Sequence, residues 1–266
     1  MKEEIKLDLL CSRVCDIARN AGQFLLQEMG KVKENDIQTK GIHDYVTYVD
    51  KTSEAQIVKA LAATFPEAGF IAEEDKSLNA GAEYTWVIDP LDGTTNFIHK
   101  IPLFSVSIAL MNHKEVVLGV IYEPNYNECF YAWKGSPAFM NQFPVKVSDT
   151  SLIKESLFAT GFPYYDYSKI RPFMDVFEHM IRHSRGLRRL GSAAVDLAWV
   201  ACGRLDGFFE YGLHPWDVAA GSFIVQQAGG RNADFSGKSD YVFGKEIVST
   251  NHLVFDDFMN IMFKNF

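Results

Sequence analysis

The sequence predicts an α+β fold built as stacked helix and sheet layers. Segments with apolar residues at three- and four-residue spacing alternate with short β-branched and aromatic runs along all 266 residues. No repeat, low-complexity tract or obvious linker separates them. With 47% hydrophobic and 23% charged residues, the chain reads as an ordinary soluble globular protein with a large core. We expect one compact domain over residues 1–266, in two intimate halves of roughly 1–150 and 151–266.

The elements follow in order. Residues 5–29 and 50–65 read as amphipathic helices, the second entered at Asp50 as its N-cap, with a polar connector over 30–44. GFIA at 69–72 and TWVI at 85–88 are short apolar strands that end in Glu73-Glu74-Asp75 and in Asp89. FSVSIALMN and EVVLGVIYE form a hairpin about His113-Lys114, and NECFYAW adds a third strand. Residues 170–183 then read as a helix, LRRL as a short strand, SAAVDLAWVAC as a helix capped by Ser192, and LDGFFEYG as a strand. A small-residue helix over 218–228 is stopped by Gly229-Gly230, and IVST and VFDDFMNIMF supply a last strand and helix.

Composition excludes several classes of function. The N-terminus has neither the basic start nor the unbroken apolar core of a signal peptide, and no apolar run approaches the roughly 18 residues of a membrane span. Cys11, Cys15, Cys129 and Cys202 sit in apolar contexts without metal-type pairing, which fits reduced thiols and a cytoplasmic location. A net charge of -8 argues against general nucleic-acid binding.

The chemistry concentrates in acids that follow apolar runs: Glu73-Glu74 after GFIA, Asp89 and Asp92 in WVIDPLDGTTNF, and Asp217 in HPWDVAAG. On composition alone WVIDPLDGTTNF is a strand ending in a turn. A buried unpaired carboxylate is costly, however, and several of them share a natural partner in a hard divalent cation such as Mg2+. The kink at Pro90 would leave the Leu91 carbonyl free to join the two aspartates. If residues 94–96 open a helix, the N–H groups of Gly93, Thr94 and Thr95 point at an anion.

The segments AEED, WVIDPLDGTTNFIH and HPWDVAAG with its downstream AGG resemble, in order and spacing, the signature motifs of the inositol monophosphatase family. The likeness extends to VTYVDKTSE, to LGSAAVDLAWVACGRLDGFFEYGL and to AGGRNADFSG, and so covers nearly the whole chain. It implies a Mg2+-dependent, lithium-sensitive phosphatase with a layered αβαβα sandwich, usually a homodimer, that hydrolyses a small phosphorylated polyol or sugar by direct attack of metal-activated water. Carried over, it places Glu73, Asp89 and the Leu91 carbonyl on a first metal ion and Asp89, Asp92 and Asp217 on a second. A third, weaker ion is associated with Glu73. Thr94 resembles the hydroxyl that orients the attacking water, with Asp50 behind it, and Asp92, Ser192, Ala193 and Glu210 fall where relatives contact substrate hydroxyls. The loaded site would accept a phosphate dianion although the protein is acidic.

The resemblance leaves the substrate open: myo-inositol monophosphate is the simplest, with fructose 1,6-bisphosphate, histidinol phosphate and adenosine 3',5'-bisphosphate as alternatives. Some bacterial relatives also act as binding proteins in transcription complexes, for which the cluster Arg182, Arg185, Arg188 and Arg189 is the surface to suspect. The cluster offers a site for phosphate or another chain, but in a chain this acidic it reads more readily as a solvated or dimer-facing patch, and His179 and His183 read as ordinary helix surface. Trp216 reads as a core anchor for a strand end presenting Asp217. Where relatives often carry a lysine before the DxVTxxD segment, this chain offers Thr39 and Lys40.

Overall fold

A computed structural model describes residues 5–41, 44–75, 78–81 and 83–266, without the side chains of 39–41 and 44. The choice between Thr39 and Lys40 therefore lies outside the described side chains. The first half contains helices α1 (Leu7–Glu28) and α2 (Tyr48–Thr64), the strand pair β1 (Gln38–Gly41) and β2 (Asp44–Val46), and the short helix α3 (Thr94–Ile98). Its main sheet has the order β3 (Gly69–Ala72), β4 (Tyr84–Asp92), β5 (Ser105–Asn112), β6 (Glu115–Glu123), β7 (Glu128–Trp133), β8 (Ala138–Met140) and β9 (Phe143–Val145). Only the β3–β4 pair is parallel; from β4 to β9 the strands meander antiparallel.

The second half contributes β10 (Leu157–Thr160), α4 (Ile170–His183), β11 (Gly186–Arg188), α5 (Ala193–Ala201), β12 (Gly207–Tyr211), α6 (Pro215–Gln227), β13 (Arg231–Ala233), β14 (Glu246–Thr250) and α7 (Phe255–Asn265). Its strands form a second sheet in the order β11-β10-β12-β14-β13.

Strand alternation sorts these elements into five layers. On β4, Trp86 and Ile88 face one way, into a cluster with Leu10, Val14 and Leu25 of α1 and Ile57 and Leu61 of α2. Val87, between them, faces the opposite cluster with Leu197 of α5 and Phe223 of α6. The same cluster takes Ala159, Phe208 and Ile247 from the second sheet, so α5 and α6 lie between the two sheets. Neighbouring Phe158, Phe209 and Val248 point outward onto Phe173 and Met180 of α4 and Phe258 and Met262 of α7. The result is the αβαβα sandwich. A helix between two sheets is apolar on all sides, which explains why α5 and α6 carry little helical amphipathicity while outer α4 carries a great deal.

Several expected boundaries shift. Asp50 is not the N-cap of α2. Thr47 is, its hydroxyl accepting from Val49 N–H at 3.0 Å, and Asp50 sits one turn in, where Oδ2 accepts the Thr47 N–H at 2.8 Å. Such a reciprocal pair is a capping box. α6 begins at Pro215, three residues before the expected start, because proline suits the first helical turn. Asp217 therefore stands on a helix, not at a strand end. Trp216 is half-buried and stacked on His214, with ring centroids 4.7 Å apart. Among the described residues no helix is long and apolar enough to cross a membrane.

Candidate active site

Asp89 and Asp92 are three residues apart, which in a regular strand would put them on opposite faces. β4 avoids this with a bulge. Asp89 pairs with Ser107 and Asp92 with Ser105, so Pro90 and Leu91 together stand against Val106 alone. A bulge tolerates proline, and the one extra residue restores the parity of the two aspartates. Ser53 of α2 pins the bulge by donating to the Pro90 carbonyl at 3.2 Å.

The carboxylates of Asp89 and Asp92 meet the first turn of α6, and oxygens of Asp89, Asp92 and Asp217 lie within 4.8 Å of one another. Oxygens that share one cation at about 2.0–2.6 Å sit at such separations. Each is held by backbone: Leu91 N–H donates to Asp89 Oδ1 at 2.9 Å, Ala194 N–H to Asp92 Oδ2 at 2.7 Å, and His214 N–H to Asp217 Oδ2 at 2.7 Å. Ser192, the N-cap of α5, adds its hydroxyl to Asp92 Oδ2 at 2.6 Å. Among the described residues these three form the close group, and Glu73, whose charge acts on Asp89, lines the same cavity.

Burial and mutual repulsion set the electrostatics of this group. Burial, and then the charges of Glu73, Asp92 and Asp217, push the Asp89 carboxyl well above the ordinary carboxylate range. Burial and the charge of Asp92 do the same to Asp217. Asp92 is also raised by burial, with the Ser192 and Ala194 hydrogen bonds and the Arg189 charge opposing. Converging, mutually repelling hard oxygen donors fit a divalent cation, and the donor set suits Mg2+-type ions.

Behind this group, Thr94 Oγ1 lies 3.0 Å from Asp50 Oδ1 and 3.1 Å from the Leu91 carbonyl oxygen. The Leu91 carbonyl is thus not free, though a carbonyl oxygen keeps a second lone pair. Asp50 is buried, and its Oδ2 also accepts the Thr47 hydroxyl at 2.7 Å. Gly93 joins strand to helix at φ +100°, a left-handed angle that favours glycine.

These residues border a cavity of about 130 Å³ that brings together Glu73, Asp89, Leu91, Asp92, Gly93, Thr94, Thr95, Ser192, Ala193, Glu210 and Asp217. Of the residues expected at the site only Asp50 does not line it, standing behind Thr94. Burial lifts Glu210 to about 8, against the opposing charge of Arg189.

The sequence reading missed Asp196, Tyr164 and Gly161. Arg189 is exposed, and it also lines the cavity and donates to the Tyr164 hydroxyl at 2.7 Å. Asp196 was legible as the lone acid in the apolar run AAVDLAWVA; its side chain is buried and lines the cavity.

The model of the inositol monophosphatase family matches residues 7–260. A putative Nus factor SuhB from Neisseria meningitidis is 38% identical over 246 residues, covering 92% of this chain and 94% of that protein. An inositol-1-monophosphatase from Mesorhizobium japonicum is 38% identical over 238 residues, covering 89% of this chain and 90% of its own. The crystal structure of the extragenic suppressor protein suhB from Bartonella henselae superposes with a TM-score of 0.92 at 36% identity, over 97% of this chain and 100% of that one.

Proposed function

The chain belongs to the inositol monophosphatase family, and from that premise we propose that it is a Mg2+-dependent phosphomonoesterase acting on myo-inositol monophosphate or a similar small polyol or sugar phosphate. The observation that carries this reading is the convergence of Asp89, Asp92 and Asp217 in one cavity. Glu73, Asp89 and the Leu91 carbonyl would hold one Mg2+ ion, and Asp89, Asp92 and Asp217 a second, with a third, weaker ion near Glu73. Bound divalent cations neutralise phosphate oxygens and make water more acidic.

The protein's own groups do the positioning. Were the Leu91 carbonyl to ligate a cation, the Thr94 hydroxyl would donate its hydrogen bond to Asp50 Oδ1 and leave its oxygen to accept a hydrogen bond from the attacking water. The capping box fixes Asp50 for this task. Gly93, Thr94 and Thr95 present backbone N–H groups to the phosphate. Asp92, Ser192, Ala193 and Glu210 meet the hydroxyls of the alcohol. Water would attack phosphorus directly, without a phosphoenzyme, as the P–O bond to the alcohol breaks and the departing oxygen takes up a proton.

Phosphate release is measured over myo-inositol monophosphate, fructose 1,6-bisphosphate, histidinol phosphate and adenosine 3',5'-bisphosphate, with and without Mg2+ and then with Li+. We expect Mg2+-dependent, Li+-inhibited turnover of the inositol ester; metal-independent turnover sinks the reading. Gly161→Ala tests the role of Glu210, because a Cβ there would lie 2.0 Å from Glu210 Oε1 and must displace the carboxylate. The variant should raise KM about tenfold, the equivalent of roughly 1.4 kcal/mol of lost binding, with kcat less affected. An unchanged KM removes Glu210 from the substrate contacts.

The relatives named as Nus factors support a second reading, a cytoplasmic binding partner in a transcription complex. The exposed cluster Arg182, Arg185, Arg188 and Arg189 would be its surface. A stable complex on pull-down, with no turnover of any ester, would favour this role. A homodimer belongs to either reading, and sedimentation tests it.

A further inference from the structure

Three of the cavity's acids are fixed by regular elements: Asp89 and Asp92 by the β4 bulge, and Asp217 by the first turn of α6. Glu73 stands outside the ladder. The β3–β4 pairing ends at Ala72, opposite Ile88, so Glu73 lies one residue past the last pair. Its charge repels those of Asp89 and Asp217, and a loose chain end would let it swing to water. It lines the cavity instead.

The hold on this segment comes from α2. Glu54 is 3% exposed, and it accepts the Glu74 N–H at 2.8 Å on one carboxylate oxygen and the Asp75 N–H at 2.7 Å on the other. Those are the two amides that follow Glu73. A carboxylate suits the task, because both its oxygens only accept, whereas an amide side chain has one oxygen and would turn its own N–H groups toward the second donor. Hydrogen bonds to a charged acceptor are also roughly twice as strong as neutral ones.

Glu54 belongs to a row. Asp50, Ser53 and Glu54 stand at i, i+3 and i+4 on α2, all buried, and so share one face. Asp50 accepts the Thr94 hydroxyl at 3.0 Å, Ser53 holds the Pro90 carbonyl at 3.2 Å, and Glu54 holds the segment after Glu73. One face of one helix thus fixes three chain segments that border the cavity.

We propose that Glu54 is the positioning residue for Glu73: its grip on the next two amides keeps the Glu73 carboxylate turned toward Asp89 and sets how tightly a divalent cation is held there. The inference rests on the Mg2+-dependent reading and goes beyond it. It assigns the affinity of one ion to a residue that touches neither ion nor substrate.

The test counts bound Mn2+, which favours the same oxygen ligands as Mg2+, by electron paramagnetic resonance of the free ion with no phosphate ester present. Glu54→Gln should weaken the binding that Glu73→Gln also weakens, by about tenfold or more, and the double variant should bind no worse than Glu73→Gln alone. Phosphate release by Glu54→Gln should need about tenfold more Mg2+ and return to within about threefold of the parent at saturation. A purely structural role would lower the melting temperature in EDTA and leave Mn2+ binding unchanged. Should circular dichroism show Glu54→Gln unfolded, hydrogen exchange of the parent decides: linkage requires bound Mg2+ to slow exchange at the Glu74 and Asp75 amides, and Glu73→Gln to remove the slowing. Unchanged Mn2+ binding, losses that multiply across Glu54 and Glu73, or exchange at these amides indifferent to Mg2+ overturns the proposal. Ester turnover that still depends on Mg2+ then leaves the phosphatase reading standing, whereas a parent that binds no Mn2+ sinks both.

Discussion

Asp217→Asn should abolish Mg2+-dependent phosphate release, by about a thousandfold or more, or roughly 4 kcal/mol of barrier, while the protein stays folded. The reason lies in what the substitution keeps. Asp217 Oδ2 accepts the His214 N–H that starts α6, and the asparagine carbonyl oxygen can do the same. What disappears is one negative charge among three carboxylates whose oxygens lie within 4.8 Å. A variant with activity within tenfold of the parent would remove Asp217 from the centre.

The same substitution has a second signature, in stability against pH without metal. Asp89 and Asp217 are raised well above the ordinary carboxylate range, chiefly by burial. Between about pH 4, the ordinary value, and those raised values, the native state holds protons that the unfolded state has lost. Their contribution is fully present below the unfolded value and is lost as pH rises through the folded ones. Chelated parent protein should lose melting temperature from pH 5 to 8, Mg2+ should restore it most at the high end, and Asp217→Asn should show a shallower loss. Thermal unfolding in EDTA and in Mg2+ measures all three; equal slopes for parent and variant would count against the account.

The sequence made the acids legible but not their geometry. Helix α4 emerged with its bounds intact because one buried face on an outer helix gives a clean 3.6-residue pattern. Strand β10 was missed: LFAT is only four residues, and its place beside β11 and β12 is fixed by partners far along the chain. The bulge at Pro90 and Leu91 is a fact of pairing with β5, so a list of residues shows two aspartates and a proline but not their common face. The place of Arg189 was hidden for a related reason. Four arginines close in sequence looked like one surface, whereas the chain turns between Arg188, at the end of β11, and Ser192, the cap of α5, and that turn brings Arg189 alone of the four to the cavity. Asp196 needed only its context: an ionisable group in a helix apolar on all sides is a question that sequence alone can raise.

Thr94→Val carries the second large effect. Valine keeps the branched shape and removes only the hydroxyl, which stands 3.0 Å from Asp50 Oδ1 and 3.1 Å from the Leu91 carbonyl. If that hydroxyl aligns and polarises the attacking water, kcat should fall by about a hundredfold to ten-thousandfold, the usual weight of a positioned proton-transfer group. KM should move little, because the contact with water strengthens in the transition state, not in the bound ester. Thr94→Ser separates this role from a packing role: it loses the methyl but keeps the oxygen, and should recover most of kcat. Asp50 supplies an independent check. It is already raised by burial, with the Thr47 and Thr94 hydrogen bonds opposing, so removing the Thr94 donor should raise it further and leave its buried Oδ1 without that proton. Asp50→Asn should then resemble Thr94→Val in kcat, and the double variant should be scarcely worse than either one, since both act through a single hydrogen bond. Losses that multiply across the pair, or a serine variant no better than valine, would show that the two residues do not work as one unit on the water.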